Sequence, residues 1–191
     1  MTEQEKMEAG LLYDPGSDAK LAEDRAVCKD RCLAYNMTLP SHLEERCELM
    51  KKILGKTGGT FHIESDFWCD YGYNITIGEH FYANHNTVIL DCAKVTFGSH
   101  VLIGPNCGFY TAGHPLDTRR RNQGLEYARP ITVGDNVWIG GGVSVMPGVT
   151  IGSNTVIGSG SVVTKDIPSG VVAVGNPCRV LHAVTEEDMD Q

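Results

Sequence analysis

Aliphatic residues recur every six positions in the second half of the chain. The members of this run are Val133, Ile139, Val145, Ile151, Ile157 and Val163. Glycine directly follows four of them, and a small or β-branched residue lies four places after each of the first five. A helix repeats every 3.6 residues and a strand every 2, so neither alone gives a period of six. Short strands separated by tight corners do give it, with each aliphatic side chain pointing inward.

The same spacing occurs upstream of this run. Two further series have it, namely Ile77, Ala83 and Ile89, and then Phe97, Ile103 and Phe109. The step of 20 residues between Ile77 and Phe97 equals one coil of three hexads plus a two-residue bulge. Three hexads make one turn of a triangular prism, whose stacked strands lie about 4.8 Å apart. The pattern therefore predicts a mainly β fold, a left-handed parallel β-helix over residues 61–178.

Two helices are predicted before the repeat. The first runs from about Asp18 to Tyr35. The second follows Pro40, where residues 41–44 form a capping-box sequence, and Gly55 marks its end. Its apolar residues recur at three- and four-residue steps, which predicts one buried stripe. The members of this stripe are Leu43, Cys47, Met50 and Leu54.

The six-residue register is lost after His114 and returns at Ile131. The intervening segment is polar, and a loop longer than about 12–15 residues in a compact domain is usually functional or disordered. Because it begins beside a histidine, we expect it to be functional. The predicted organisation is a helical segment (1–60), the β-helix (61–178) with an inserted loop (115–130), and a C-terminal tail (179–191).

Composition and charge exclude several classes of function. The net charge of −8 argues against binding to a nucleic-acid backbone, which requires a basic patch. No apolar run approaches the roughly 20 residues of a membrane span, and the charged N-terminus does not read as a secretory signal. The seven cysteines are odd in number and form no C-x-x-C pair, so we expect reduced thiols in a cytoplasmic protein.

Several short motifs resemble those of the maltose and galactoside O-acetyltransferases. They are residues 12–14, 69–74, 82–84, 113–115, 136–140, 163–168 and 175–179, so the likeness covers essentially the whole chain. Asp70 makes the resemblance closer to the maltose type, because serine is usual there in the galactoside type. His85 and Cys92 depart from the family pattern near the acceptor end, which bears on the identity of the sugar and not on the chemistry.

The resemblance implies an enzyme that moves an acetyl group from acetyl-CoA to a hydroxyl of a sugar such as maltose, glucose or a galactoside. His114 is then the general base that takes the proton of the acceptor hydroxyl. Asn84 is the amide that stabilises the tetrahedral oxyanion. That family is homotrimeric, requires no metal, and holds acetyl-CoA between neighbouring prisms with the sugar at the far end.

The resemblance also assigns two sets of binding residues. Carboxylates, an arginine and a tyrosine suit a sugar, since hydroxyl groups need partners at fixed positions. This sugar-side set is Asp14, Arg25, Asp70, Tyr82, Asp91 and Glu126. The acetyl-CoA side combines an apolar wall with cations for phosphates. This set is Trp138, Gly140, Gly141, Ser159, Thr164, Lys165 and Arg179.

Three other functions are consistent with the residues. The acceptor could be the hydroxyl of a drug or an oligosaccharide, or the amine of a nucleotide sugar. A zinc enzyme of the γ-carbonic-anhydrase type would use His80, His85 and His114 as ligands around an open fourth position. A third hypothesis is a non-catalytic prism that acts as a scaffold.

Overall fold

The computed structural model describes residues 1–186 and 188, and its helices lie outside the repeat or in the inserted loop. Their bounds are α1 Glu3–Glu8, α2 Ala19–Met37, α3 Leu43–Ile53 and α4 Thr118–Asn122. Within the described residues, no helix has the length and hydropathy that a membrane crossing requires.

The strands are two to five residues long and form the three walls of a prism. The seven-stranded wall contains β1 (Phe61–Ile63), β4 (Phe81–Ala83), β7 (Leu102–Ile103), β12 (Trp138–Ile139), β15 (Val156–Ile157), β17 (Val171–Val174) and β18 (Arg179–Ala183). The five-stranded wall contains β2 (Trp68–Cys69), β5 (Val88–Leu90), β8 (Gly108–Tyr110), β13 (Ser144–Val145) and β16 (Val162–Val163). The four-stranded wall contains β3 (Ile75–Thr76), β6 (Val95–Phe97), β11 (Ile131–Val133) and β14 (Thr150–Ile151).

The period of six sets the strand register. Val133 pairs with Ile151 on one side and with Phe97 on the other, in parallel strands. The six residues of the repeat run are at most 1% exposed, so each fills the prism interior. Left-handed backbone occurs at corner residues such as Asn136 and Asn154, because asparagine tolerates that conformation better than most residues. The predicted parallel β-helix is confirmed.

The first long helix agrees with its prediction. Asp18 caps α2 by accepting hydrogen bonds from the N–H groups of Lys20 and Leu21. The buried residues of α2 are Leu21, Cys28, Cys32 and Tyr35, which share one face. This face packs against the first coils of the prism, and β2 is one of its contacts.

The predicted capping box of α3 is wrong, whereas its predicted apolar stripe is confirmed at Met50 and Leu54 and wrong at Leu43. The helix begins after His42, which makes no side-chain cap bond, and Leu43 is 60% exposed. The buried face also contains Arg46, whose guanidinium donates to the Tyr35 hydroxyl at 2.8 Å and to the Ile63 carbonyl at 3.1 Å. These hydrogen bonds offset the desolvation cost of burying the charged guanidinium. The position of Arg46 on the buried face is therefore decided by its tertiary hydrogen-bond partners and not by hydropathy.

The inserted segment is more ordered than a plain loop. It contains α4, and Tyr127–Ala128 (β10) folds back to pair antiparallel with Ala112–Gly113 (β9). Main-chain hydrogen bonds of 3.0 and 2.9 Å also join Tyr13 and Glu126. The segment is therefore held against both the prism and the N-terminal region.

Candidate active site

His114 lies directly after β9, where the inserted segment begins. Its Nδ1 atom is 3.1 Å from the carbonyl oxygen of Leu125. A carbonyl can only accept, so Nδ1 carries a proton, and in the neutral imidazole the lone pair is then on Nε2. The side chain is 53% exposed, and Nε2 is 4.0 Å from Oε1 of Glu126. The imidazole is thus oriented with an accessible nitrogen that can accept a proton.

Tyr13 fixes the carboxylate beside His114. Its hydroxyl donates to Oε2 of Glu126 at 2.9 Å, while Oε1 of the same carboxylate faces the imidazole. Tyr13 is fully buried, and burial raises the pKa of its hydroxyl well above the usual value, so it stays a donor. Sequence reasoning did not assign a role to Tyr13, although it is the middle residue of the motif at 12–14.

An open cleft of about 570 Å³ lies in front of His114. Its lining includes Asp14, Arg25 and Glu126, together with α2 residues such as Lys29. Three of the predicted sugar-side residues therefore meet the predicted base in one chain. Carboxylates and cations around an open space can accept from and donate to vicinal hydroxyls. This arrangement of residues around His114 depends on the position of α2, because Arg25 reaches the cleft from that helix.

Asp14 and Arg25 are positioned by near neighbours. The backbone N–H of Asp14 donates to Oε2 of Glu3 at 2.6 Å, and its Oδ1 accepts from the Gly16 N–H at 3.0 Å. Nη2 of Arg25 donates to the Tyr71 hydroxyl at 3.3 Å, and the guanidinium lies 5.6 Å from the centre of that ring. The Nε atom of Arg25 is buried and has no partner among the described residues.

Asp91 and Asp70 are stacked in successive coils at the corner where the five-stranded wall ends. Asp91 is fully buried, and its Oδ1 accepts from the N–H groups of Asp70 at 3.0 Å and Tyr71 at 2.8 Å. Burial raises the pKa of Asp91 to about 6. Asp70 is half-buried, and its Oδ2 lies 3.7 Å from the Cys92 thiol. The contacts of Asp91 thus hold the backbone of Asp70.

Asn84 and Tyr82 lie at a different corner of the prism. They belong to the end of β4, where the chain passes from the seven-stranded wall to the five-stranded wall. Oδ1 of Asn84 accepts from the His85 N–H at 2.8 Å, which leaves Nδ2 as the donating group of that amide. Tyr82 stacks on His62 with ring centres 5.8 Å apart. One chain therefore does not place Asn84 beside His114.

The predicted acetyl-CoA residues divide between the same two corners. Gly140, Gly141 and Ser159 follow β12 and β15 at the corner of Asn84, whereas Thr164 and Lys165 follow β16 at the corner of His114. Close stacking explains the glycine at 140, since a Cβ there would lie 2.6 Å from the Ser159 hydroxyl oxygen.

Two further residues of that set are exposed. Trp138 is 57% exposed on the outer face of the seven-stranded wall, in register with the exposed Leu102. Arg179 begins β18, and its Nη1 donates to the Cys178 carbonyl at 2.7 Å. An apolar face and a cation therefore remain available at the surface of the prism.

Comparison with known proteins identifies the family. The family model described as the maltose acetyltransferase hexapeptide capping motif matches residues 6–58, and that of the bacterial transferase hexapeptide (six repeats) matches residues 130–165. The crystal structure of a maltose O-acetyltransferase from Clostridium difficile 630 is 48% identical with a TM-score of 0.95, covering 97% of this chain and 99% of that chain. The chain belongs to the maltose and galactoside O-acetyltransferase family.

Two other relatives support this assignment. The Saccharomyces cerevisiae protein YJL218W, named as a candidate acetyltransferase, is 54% identical over 96% of this chain and 94% of its own length. A galactoside acetyltransferase solved in complex with coenzyme A is 43% identical with a TM-score of 0.95, covering 99% of this chain and 94% of that chain. The protein is accordingly an acetyltransferase of the maltose and galactoside type.

The geometry does not favour the zinc-enzyme hypothesis. His80 stacks on His100 with ring centres 4.6 Å apart, and Nε2 of His85 is 3.9 Å from Oε2 of Glu64. In the part of the chain that the structure describes, the one group of three or more possible metal ligands with mutually close atoms is a set of cysteines. His80, His85 and His114 therefore do not converge on a common ligand position.

Proposed function

We propose that this protein transfers the acetyl group of acetyl-CoA to a hydroxyl of a sugar such as maltose, glucose or a galactoside. The observation that carries the proposal is the orientation of His114, whose Nδ1 is bonded to the Leu125 carbonyl while Nε2 remains an acceptor at the cleft. Asp14, Arg25 and Glu126 line that cleft and supply partners for sugar hydroxyls. The coenzyme A in the similar galactoside acetyltransferase supports the choice of acyl donor.

The reaction is a direct attack. Nε2 of His114 takes the proton of the acceptor hydroxyl while its oxygen forms a bond to the thioester carbonyl carbon. The carbonyl electrons move to oxygen, and that oxyanion accepts a hydrogen bond from Nδ2 of Asn84. The tetrahedral intermediate then collapses, the carbon–sulfur bond breaks, and the CoA thiolate takes the proton from the imidazolium. Glu126, 4.0 Å from Nε2, stabilises the transient positive charge.

The complete site requires a second copy of the chain. His114 and Asn84 lie at different corners of one prism, and the acetyl-CoA set is divided in the same way. Placing the Asn84 corner of one prism against the His114 corner of the next completes each site, and a closed ring of three copies satisfies every corner. The exposed faces of Leu102 and Trp138 support such contact, with Trp138 also forming a wall for the pantetheine arm.

The remaining polar residues then take defined tasks. Lys165 and Arg179 bind the phosphates of acetyl-CoA, and Gly140, Gly141, Ser159 and Thr164 line its slot. Asp70 and Tyr82 contact the sugar, while Asp91 acts through the backbone of Asp70, because it is fully buried.

A thiol-release assay tests this function. Purified protein is incubated with acetyl-CoA and a panel of sugars, drug hydroxyls, amines and nucleotide-sugar amines, and the acetylated product is identified by mass spectrometry. We expect sugar-dependent release of CoA thiol and an O-acetyl sugar as product. Release that no sugar increases above background hydrolysis, or a clear preference for an amine, would overturn the proposal.

A further inference from the structure

Three buried cysteines meet where α2 packs on β2, outside the machinery described above. Cys28 and Cys32 lie one turn apart on α2, and Cys69 ends β2. The Sγ atom of Cys69 is 3.4 Å from that of Cys28 and 3.7 Å from that of Cys32. All three sulfurs lie within 4.8 Å of one another, and none of these residues is more than 3% exposed. Two separate elements thus direct thiols at one point.

The spacing suits a single metal ion bound by sulfur. A metal–sulfur bond of about 2.3 Å implies sulfurs about 3.8 Å apart in a tetrahedral site and about 4.0 Å apart in a trigonal one. The measured separations of 3.4 and 3.7 Å need to open by only a few tenths of an ångström.

One residue of the cluster also borders a cleft that is open to the surface. Cys69 forms part of the wall of an open cleft of about 390 Å³, whose lining includes Lys29, Trp68 and Asp70. An ion in this cleft therefore lies next to one residue of the cluster. A cluster sealed on every side by the prism interior would not border such a cleft.

The geometry points to a site for one thiophilic metal ion held by Cys28, Cys32 and Cys69, with Cu(I) bound in preference to Zn²⁺. Thiolate ligands select soft ions. Structural Zn²⁺ is almost always four-coordinate, and no fourth histidine, cysteine or carboxylate side-chain atom joins the three sulfurs among the described residues. Binding forms three metal–sulfur bonds and releases to solvent the protons that the thiols carry. The ion joins α2 to β2, so it stabilises the fold.

The test is a metal titration of the whole, reduced protein under anaerobic conditions. Cu(I) is added against a chromogenic Cu(I) chelator, and Zn²⁺ is added in a parallel arm. We expect one tightly held equivalent of Cu(I) per chain, weaker binding of Zn²⁺, and a rise in thermal midpoint with loading. In Cys69→Ser and Cys32→Ser the affinity for Cu(I) is expected to fall by at least about tenfold. Cys47→Ser, which removes a cysteine outside the cluster, is the matched control and keeps wild-type affinity.

A spectroscopic measurement on the wild-type protein tests the site even if a cluster variant fails to fold. The X-ray absorption spectrum of copper-loaded wild-type protein is expected to show three sulfur neighbours and no nitrogen or oxygen ligand. Failure of the wild-type protein to hold either ion, a nitrogen or oxygen shell, or equal affinity in folded Cys69→Ser and Cys47→Ser would overturn the proposal. The three thiols would then be apolar packing residues.

Discussion

At the scale of single residues, the proposed chemistry depends on the contacts of one imidazole. The Leu125 carbonyl sets its tautomer, and Glu126 lies on the other side of the ring. Glu126 is in turn held by the buried hydroxyl of Tyr13, a residue 113 positions away along the chain. Contacts from the prism, the inserted segment and the N-terminal region therefore together fix the orientation of His114.

Replacement of the base tests this arrangement. We expect His114→Ala to lower kcat by about 10²–10⁴, because proton abstraction contributes only in the transition state. The KM for acetyl-CoA should stay near the wild-type value. Steady-state kinetics with both substrates varied provides the measurement, and His182→Ala, on exposed β18, is the control. A variant that retained wild-type kcat would assign the base to another residue.

Asp91 gives a prediction about stability rather than rate. Burial raises its pKa to about 6 from an ordinary value of about 3.9. Between these values the folded state binds more protons than the unfolded state, so stability falls as pH rises from about 4 to about 6. Asp91→Asn removes this titration and still offers an oxygen to the Asp70 and Tyr71 N–H groups.

We therefore expect Asp91→Asn to gain about 2 kcal/mol in unfolding free energy relative to the wild type between pH 4 and pH 7. Denaturant titrations of metal-free protein at several pH values measure this difference. Asp30→Asn, an exposed change on α2, is the control and should show no such trend. If the difference in unfolding free energy between Asp91→Asn and the wild type stays constant across this pH range, the pKa of Asp91 is not raised in the folded state.

At the scale of elements, α2 links the site to the fold. It carries Arg25 into the cleft and Cys28 and Cys32 onto β2. Its beginning is set by Asp18, whose carboxylate accepts from two N–H groups. We expect Asp18→Ala to lower the unfolding free energy by about 1 kcal/mol, whereas Asp18→Asn, which keeps an acceptor, should cost much less. Urea denaturation compares the two, and equal losses would contradict the role of the cap.

The elements also show what a sequence can predict. The strands were predictable because one period fixes both their spacing and the inward direction of residues such as Val133 and Ile151. The burial of Arg46 on α3 was not predictable, because this charged side chain is buried there only through hydrogen bonds to Tyr35 and Ile63. The hairpin of β9 and β10 was missed because polar loop composition says nothing about the distant partner that orders it.

The same division applies to the candidate site. Family motifs named His114, Asp14, Arg25 and Glu126, and the structure gathers these four around one cleft. The six-residue period could not have predicted that these four residues lie around one cleft, because their arrangement depends on how α2 packs on the prism. The three-cysteine cluster was missed for this reason, because only Cys28 and Cys32 are near in sequence.

At the scale of the whole molecule, we propose that each site takes His114 from one chain and Asn84 from its neighbour. This sharing of residues follows from the prism itself, which presents the two residues at different corners. It requires a closed oligomer, and light scattering should give three times the mass of the chain. A fully active monomer at assay dilution would exclude it.

The most direct test is complementation between two impaired variants. His114→Ala and Asn84→Ala are purified singly and also co-expressed in equal amounts. Each alone should lose about 10²-fold or more in kcat. Random trimers of the two should regain about a quarter of wild-type activity, because each mixed trimer contains one site with both residues intact.

The control replaces either partner with the double variant His114→Ala/Asn84→Ala, which cannot complete any site and should restore nothing. Activity in the co-expressed pair near a quarter of wild type, with none in the control, is the result the shared site predicts. A pair no more active than its separate members would contradict it, as would an Asn84→Ala protein that keeps wild-type kcat.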